Sequence, residues 1–157
     1  MAADDLVAVT DAVLRAAGVL ASVTARALEE SGNDVTVPQF RALDILDRAA
    51  PLRLVALADL LGVQPSVATR LCDRLVAKHL IARVRSEDDR REVSLNVTEA
   101  GAELVHLVNA SRRAEVSRIL RRVPPSQRHQ MVAGLDAFVG ASGRGLPRAV
   151  AGVEFRS

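Results

Sequence analysis

The sequence predicts a mainly α fold with one small antiparallel β-hairpin, on three observations. Apolar residues recur at steps of three and four through most of the 157 residues, the pattern of helices with one buried stripe. Near 93–98 the pattern changes to alternation, with Val93, Leu95 and Val97 on one side and Ser94, Asn96 and Thr98 on the other, as in a half-buried strand. Between 54 and 78 two short apolar segments flank the glycine-containing turn Gly62-Val63-Gln64, the signature of a helix-turn-helix.

The elements follow in order. Residues 5–30 read as one long helix, with Asp4 and Asp5 supplying a cap and negative charge at its start. Leu6, Val9, Val13, Ala17, Leu20, Val23 and Ala27 form its stripe, and Ser31-Gly32-Asn33-Asp34 ends it. A second helix spans 37–49, opened by Thr36-Val37-Pro38, where proline suits the first turn, and Pro51 breaks the chain after it. Residues 54–61 form a short helix stopped at Gly62, and 65–78 another with Pro65 in its first turn. Strands are expected at 80–85 and 93–98, joined by the charged stretch 86–92, which has no apolar residue. Two strands directly after a helix-turn-helix make a winged helix. Thr98 caps a long helix expected to reach Val123, about 37 Å at 1.5 Å per residue. Its apolar face is Leu104, Val105, Val108, Val116, Ile119, Leu120 and Val123. Pro124-Pro125 breaks it, a last helix covers 126–140, and the Gly-rich tail from Gly140 reads as mobile. The organisation expected is therefore an N-terminal dimerisation helix over 1–35, a winged helix-turn-helix over 36–98, C-terminal dimerisation helices over 99–142 and a tail over 143–157.

Composition narrows the function. A single cysteine, Cys72, excludes a disulfide framework or a Cys-rich zinc module. His79, His106 and His129 share no metal-ligand spacing, and neither a metal nor a cofactor is expected. There is no nucleophile elbow, phosphate-binding loop or dinucleotide fingerprint, and His106 beside Glu103 and Asn109 reads as one solvent-facing helix face. An enzyme is not expected. No apolar run is read as approaching the ~18 residues of a membrane span, and the acidic, small N-terminus is unlike an export signal. The expectation is a soluble cytoplasmic protein without a membrane partner.

Charge is unevenly placed. The chain has 20 arginines but one lysine, Lys78, for a net charge of +2. Residues 1–50 carry −4, 51–62 none, and the three segments beyond carry +2 each. An acidic first third before a basic remainder suits a polyanion partner, although surface scatter gives the same pattern. With no Trp or Tyr and only three Phe, stacking platforms for single-stranded nucleic acid are lacking.

Certain residues sharpen this reading. The run from Ser66 through Thr69, Arg70, Arg74, Leu75, Lys78, Leu80 and Ile81 to Arg83 resembles the recognition helix and first wing strand of the MarR family of bacterial transcription regulators. Asp89-Arg90-Arg91, followed by Thr98 and Glu99-Ala100-Gly101, is similar to that family's wing tip and entry into its long helix. Pro38-Gln39-Phe40 and Leu43 are similar to its second-helix opening. The likeness covers about residues 5–142. His79 stands where the family usually has a helix-ending glycine, Val97 where it favours leucine, and Cys72 where it has an aliphatic residue. Histidine tolerates positive φ better than most residues, so the fold is expected to survive the first departure.

The resemblance implies a homodimer built from the terminal helices, binding a palindromic duplex DNA site as a repressor, with a small amphipathic effector as a candidate ligand in a pocket that is aliphatic with occasional arginines. The alternative function is a winged-helix module that binds protein and has lost DNA. Long stripes at 6–28 and 104–123 support a partner surface, the alternative being that both pack within one chain. Gln64, Ser66, Thr69 and Arg70 would enter the major groove, where Arg70 can donate two hydrogen bonds to guanine. Arg74 and Arg90 would reach phosphates. Arg74 could instead pair with Asp73 or another acidic neighbour, and Ser66 could serve only the helix start. Arg91, oriented by Asp89, would enter the minor groove, although a solvated tip is the alternative, because residues 86–92 hold four acidic side chains against two arginines. Cys72 reads as core packing rather than a redox sensor.

Overall fold

The structure, a computed structural model, describes residues 2–85 and 93–142, with side chains from Asp5 onward. The helices are α1 (Ala2–Glu30), α2 (Val37–Ala49), α3 (Leu54–Leu61), α4 (Pro65–Ala77), α5 (Glu99–Leu120) and α6 (Pro125–Ala141), and the strands are β1 (Leu52–Arg53), β2 (Ile81–Arg85) and β3 (Val93–Val97). Every helix expected from the sequence is present. The wing-tip residues Asp89, Arg90 and Arg91 and the tail over 143–157 lie outside the described residues.

Local chemistry sets the boundaries. Thr36 opens α2 with a capping box: its hydroxyl accepts from the Gln39 amide at 3.4 Å, and the Gln39 side-chain oxygen accepts from the Thr36 amide at 3.0 Å. Gly62 ends α3 with φ +69, a left-handed conformation that glycine adopts without a Cβ penalty. The Val63 amide then donates back to the Ala58 carbonyl, so the chain turns at once into α4, which crosses α3 at 107°. That angle is the helix-turn-helix geometry.

The end of α4 carries the substitution noted above. His79 adopts φ +58, and the Leu80 amide donates to the Leu75 carbonyl at 3.0 Å, which completes the helix-ending motif that glycine usually serves. The next link joins α4 to α5. The Thr98 hydroxyl donates to the His79 carbonyl at 2.8 Å and accepts from the Gly101 amide at 3.1 Å, while the Thr98 amide donates to the Leu80 carbonyl. The start of α5 lies so close to the turn after α4 that a Cβ on Gly101 would lie 2.1 Å from the Leu80 carbonyl oxygen. Only glycine fits there.

The three strands form one antiparallel sheet in the order β1-β3-β2, with Leu52 opposite Leu95 and Arg83 also opposite Leu95 on the other side. Strand β1 was not expected: two residues between Pro51 and α3 give no periodicity to read. The core beneath the sheet consists of Leu43 and Leu46 of α2, Leu57 of α3, Cys72 and Leu75 of α4, Ile81, Leu95, and Val105 and Val108 of α5, all fully buried. This is an aliphatic core, as composition implied, and Cys72 packs in it as a small hydrophobe.

Outside that lobe the packing changes. Val23, Ala27 and Leu28 at the end of α1 are buried, and α1 packs on α5. The rest of its stripe is not: Leu6 is 68% and Leu20 49% exposed. No residue of α6 is buried.

Four expectations need correction. The segment Asp5–Glu30 is long and apolar enough to cross a membrane; its alanines and valines make an apolar run that attention to a stripe understated. Helix α1 starts at Ala2, so Asp4 and Asp5 sit in its first turns rather than capping it. Helix α5 ends at Leu120, with Arg121–Val123 in a turn, so it is about 33 Å long rather than 37 Å. The face with His106 and Glu103 is exposed, but Asn109 is half-buried and donates to Asp44 of α2 at 2.8 Å.

Candidate nucleic-acid interface

Helix α4 carries the side chains expected to read DNA. Ala68, Cys72 and Leu75 face the core, which turns the opposite face outward. Positions 66, 70 and 74 lie one helical turn apart, and Ser66, Arg70 and Arg74 are all exposed. Gln64 is exposed just before the helix, and its side chain makes no capping bond. Thr69 is half-buried, and its hydroxyl donates to the Pro65 carbonyl at 2.9 Å. Its proton is therefore committed to its own helix, and meeting a phosphate requires a side-chain rotation.

The arginines are available. Neither Arg70 nor Arg74 forms an ion pair with any described residue. The anticipated alternative for Arg74, a pair with Asp73, does not occur. Asp73 is held by Arg83 of β2 at 2.7 Å. Arg83 thus neutralises the one carboxylate of α4, which would otherwise repel phosphate, and leaves Arg74 unencumbered. In the sequence Arg83 is only the end of the run that resembles a recognition helix and first wing strand. The signal that could have found its role was a ten-residue separation that places the middle of β2 beside α4.

The neighbouring groups are quiet or structural. Burial pushes the Cys72 thiol above its ordinary range, the Arg83 guanidinium opposes this, and the Asp73 carboxylate adds to it. A buried thiol held protonated is a poor nucleophile. A groove between α1 and α5 is lined by Val23, Arg26, Glu30, Glu115, Arg118 and Arg121 among others. There Arg118 grips Glu115 with two hydrogen bonds, at 2.8 and 2.5 Å, which hold the Glu115 carboxyl below the usual carboxylate range. The groove mixes the aliphatic Val23, Ala27 and Ala114 with three arginines and two glutamates. No cluster of His, Cys, Asp or Glu suited to a metal occurs among the described residues.

Helix α4, set at 107° to α3 and followed by a three-stranded antiparallel sheet, defines a winged helix-turn-helix protein. Residues 35–93 match the model of the MarR family. The chain is 36% identical over 93 residues to the transcriptional repressor MdtR of Bacillus subtilis, a stretch covering 59% of each protein. It is 40% identical to RV1404 of Mycobacterium tuberculosis, whose crystal structure superposes with a TM-score of 0.77 over 87% of this chain and 93% of that one. The fold is also that of Streptococcus pneumoniae FabT, solved in complex with DNA, at 22% identity and a TM-score of 0.66 over 87% of this chain and 92% of that one. The chain belongs to the MarR family of transcription regulators, which are not enzymes.

Proposed function

We propose that this protein is a sequence-specific DNA-binding repressor that engages a palindromic duplex site as a homodimer and acts in the cytoplasm. The observation that carries this reading is the outward face of α4, where Ser66, Arg70 and Arg74 are exposed and both arginines lack an ion-pair partner among the described residues. An unpaired arginine on a recognition helix is spare donor capacity, and duplex DNA is the partner that uses it. Arg70 reads a base edge in the major groove with Gln64, Ser66 and Thr69 around it. Arg74 meets a phosphate, as does Arg90, and Arg91, steadied by Asp89, enters the minor groove. The names of the relatives favour the same reading, MdtR being called a repressor.

The dimer rests on apolar surface. Leu6, Val9, Leu14 and Leu20 of α1 and Met131, Leu135 and Phe138 of α6 are each about two-fifths to two-thirds exposed. A second copy covering both helices removes that surface from water. Release by a small amphipathic effector belongs to the same reading. The organisation that goes with it is dimerisation over 1–35 and 99–142 around a DNA-binding lobe over 36–98.

The experiment is a selection of bound fragments from random duplexes, followed by titration. A palindrome with half-sites about 34–36 Å apart is expected. With about 6–10 phosphate contacts per dimer, affinity falls about 10³–10⁵-fold between 50 and 200 mM salt. Recovery of no preferred sequence, with affinity indifferent to salt, favours a protein-binding module instead.

A further inference from the structure

A second polar cluster lies away from α4, where α5 leaves the lobe. Asp44 of α2 receives Arg48 at 2.9 Å and the Asn109 side-chain amide at 2.8 Å. The other end of the same amide, its Oδ1, accepts from Arg112 at 2.7 Å. The Arg112 guanidinium in turn lies 5.8 Å from the centroid of the buried Phe40 ring. Asn109 is therefore a two-way connector, donating to a carboxylate and accepting from a guanidinium. Only an uncharged group with one donor end and one acceptor end does both. Reversing the amide would set oxygen against carboxylate and NH2 against guanidinium.

The position of this connector matters. Leu104, Val105 and Val108 are fully or almost fully buried in the lobe, and no residue of α5 beyond Val108 is. Asn109 and Arg112 thus sit at the exit of α5, against the helix that packs on α4. From Val108 to Leu120 the helix runs about 18 Å. A tilt of about 10° at the exit moves its far end by about 3 Å, near the ~3.4 Å rise of one base pair.

We infer that Asn109 is a positioning residue that fixes the half-site spacing the dimer accepts, by clamping α5 to α2 through Asp44 and Arg112. The inference rests on the proposed DNA-binding dimer. Asn109 touches no DNA in this account and governs only the angle between the arm and the lobe.

The test is binding of the full-length protein to synthetic duplexes carrying the selected half-sites at the selected spacing and at one base pair more or less, read by fluorescence anisotropy. The parent is expected to prefer one spacing by about ten-fold or more, and Asn109→Leu to discriminate by less than about three-fold. Base preference within a half-site should stay unchanged. The isosteric Asn109→Asp, which opposes two carboxylates, should flatten discrimination in the same way, and it carries the test if the leucine variant loses helical content. Asp44→Asn with Asn109→Asp restores a donor opposite an acceptor and should restore discrimination. Full spacing discrimination in Asn109→Asp, or equal weakening at every spacing, overturns the inference while leaving the DNA-binding reading intact. A parent that binds no duplex overturns both.

Discussion

The lobe and the arms of this protein treat apolar residues in opposite ways. In the lobe, Leu43, Leu46, Leu57, Leu75, Leu95 and Val108 are entirely enclosed. In α6, Leu135 and Phe138 are each 55% exposed and nothing is buried. Both regions are rich in aliphatic side chains, so composition does not separate them. The difference lies in where the complementary surface comes from. The lobe finds it within about 70 residues of one chain, because short helices and a three-stranded sheet fold back on one another. In the arms, α1 is covered by α5 only over its last two turns, and α6 buries no residue. An amphipathic helix whose stripe stays wet is incomplete alone, and in the proposed dimer a second copy completes it.

Breaking the arms should produce the largest effect. Leu135→Asp with Phe138→Asp puts two charges on the surface assigned to the interface, and a buried unpaired charge is costly. Burying a Leu or Phe side chain contributes about 1.5–3 kcal/mol each. The dimer dissociation constant should rise by about 100-fold or more by analytical ultracentrifugation, with helical content kept. Unchanged dimerisation would remove α6 from the interface.

Next come substitutions that break the lobe. Gly101→Ala places a methyl against a backbone carbonyl, where nothing flexible can yield, and should cost about 1–3 kcal/mol in denaturant titration. Cys72→Ser sets a hydroxyl in an aliphatic core and should cost about 1–3 kcal/mol as well. Stability should also depend on alkaline pH. The folded thiol is raised by burial, so its contribution is complete below the ordinary thiol value and is lost as pH rises through the folded one. Cys72→Ala should remove that loss, which melting temperatures across pH 8–10 will check.

The interface itself gives the sharper, smaller effects. Arg70→Ala should cost about 1–3 kcal/mol of operator affinity and relax base preference at one position per half-site. Arg83→Ala frees the Asp73 carboxylate beside Arg74 and should weaken binding by about 0.2–1 kcal/mol, the range for an exposed ion pair, without altering base preference. If Arg83→Ala binds as tightly as the parent, the Asp73–Arg83 pair plays no part in presenting α4.

How much of this was legible in the sequence varies with the kind of signal. Helices α2 and α3 were bounded correctly because Thr36, Pro38, Pro51 and Gly62 are local determinants, each acting within a few residues of itself. His79 was identified as a positive-φ position from the motif around it, and φ +58 bears that out. Strand β1 was missed because its reason for existing is the edge of β3, which no two-residue window contains. The alternative weighed for Arg74, a pair with Asp73, does not form, because adjacent residues on a helix do not face each other; Arg83 of β2 holds Asp73 instead. The Asp44–Asn109 contact spans 65 residues and left no trace in periodicity. The membrane-length character of α1 was under-read because residues off the stripe are also alanine and valine.

The most direct test of a lobe that reads DNA and arms that pair copies is the molar mass of the complex. Light scattering after size exclusion, with a duplex carrying the selected palindrome, should give twice the 16.7 kDa chain mass for the free protein. It should add one duplex per two chains on binding. One chain per duplex, or a free monomer at micromolar concentration, would contradict the account.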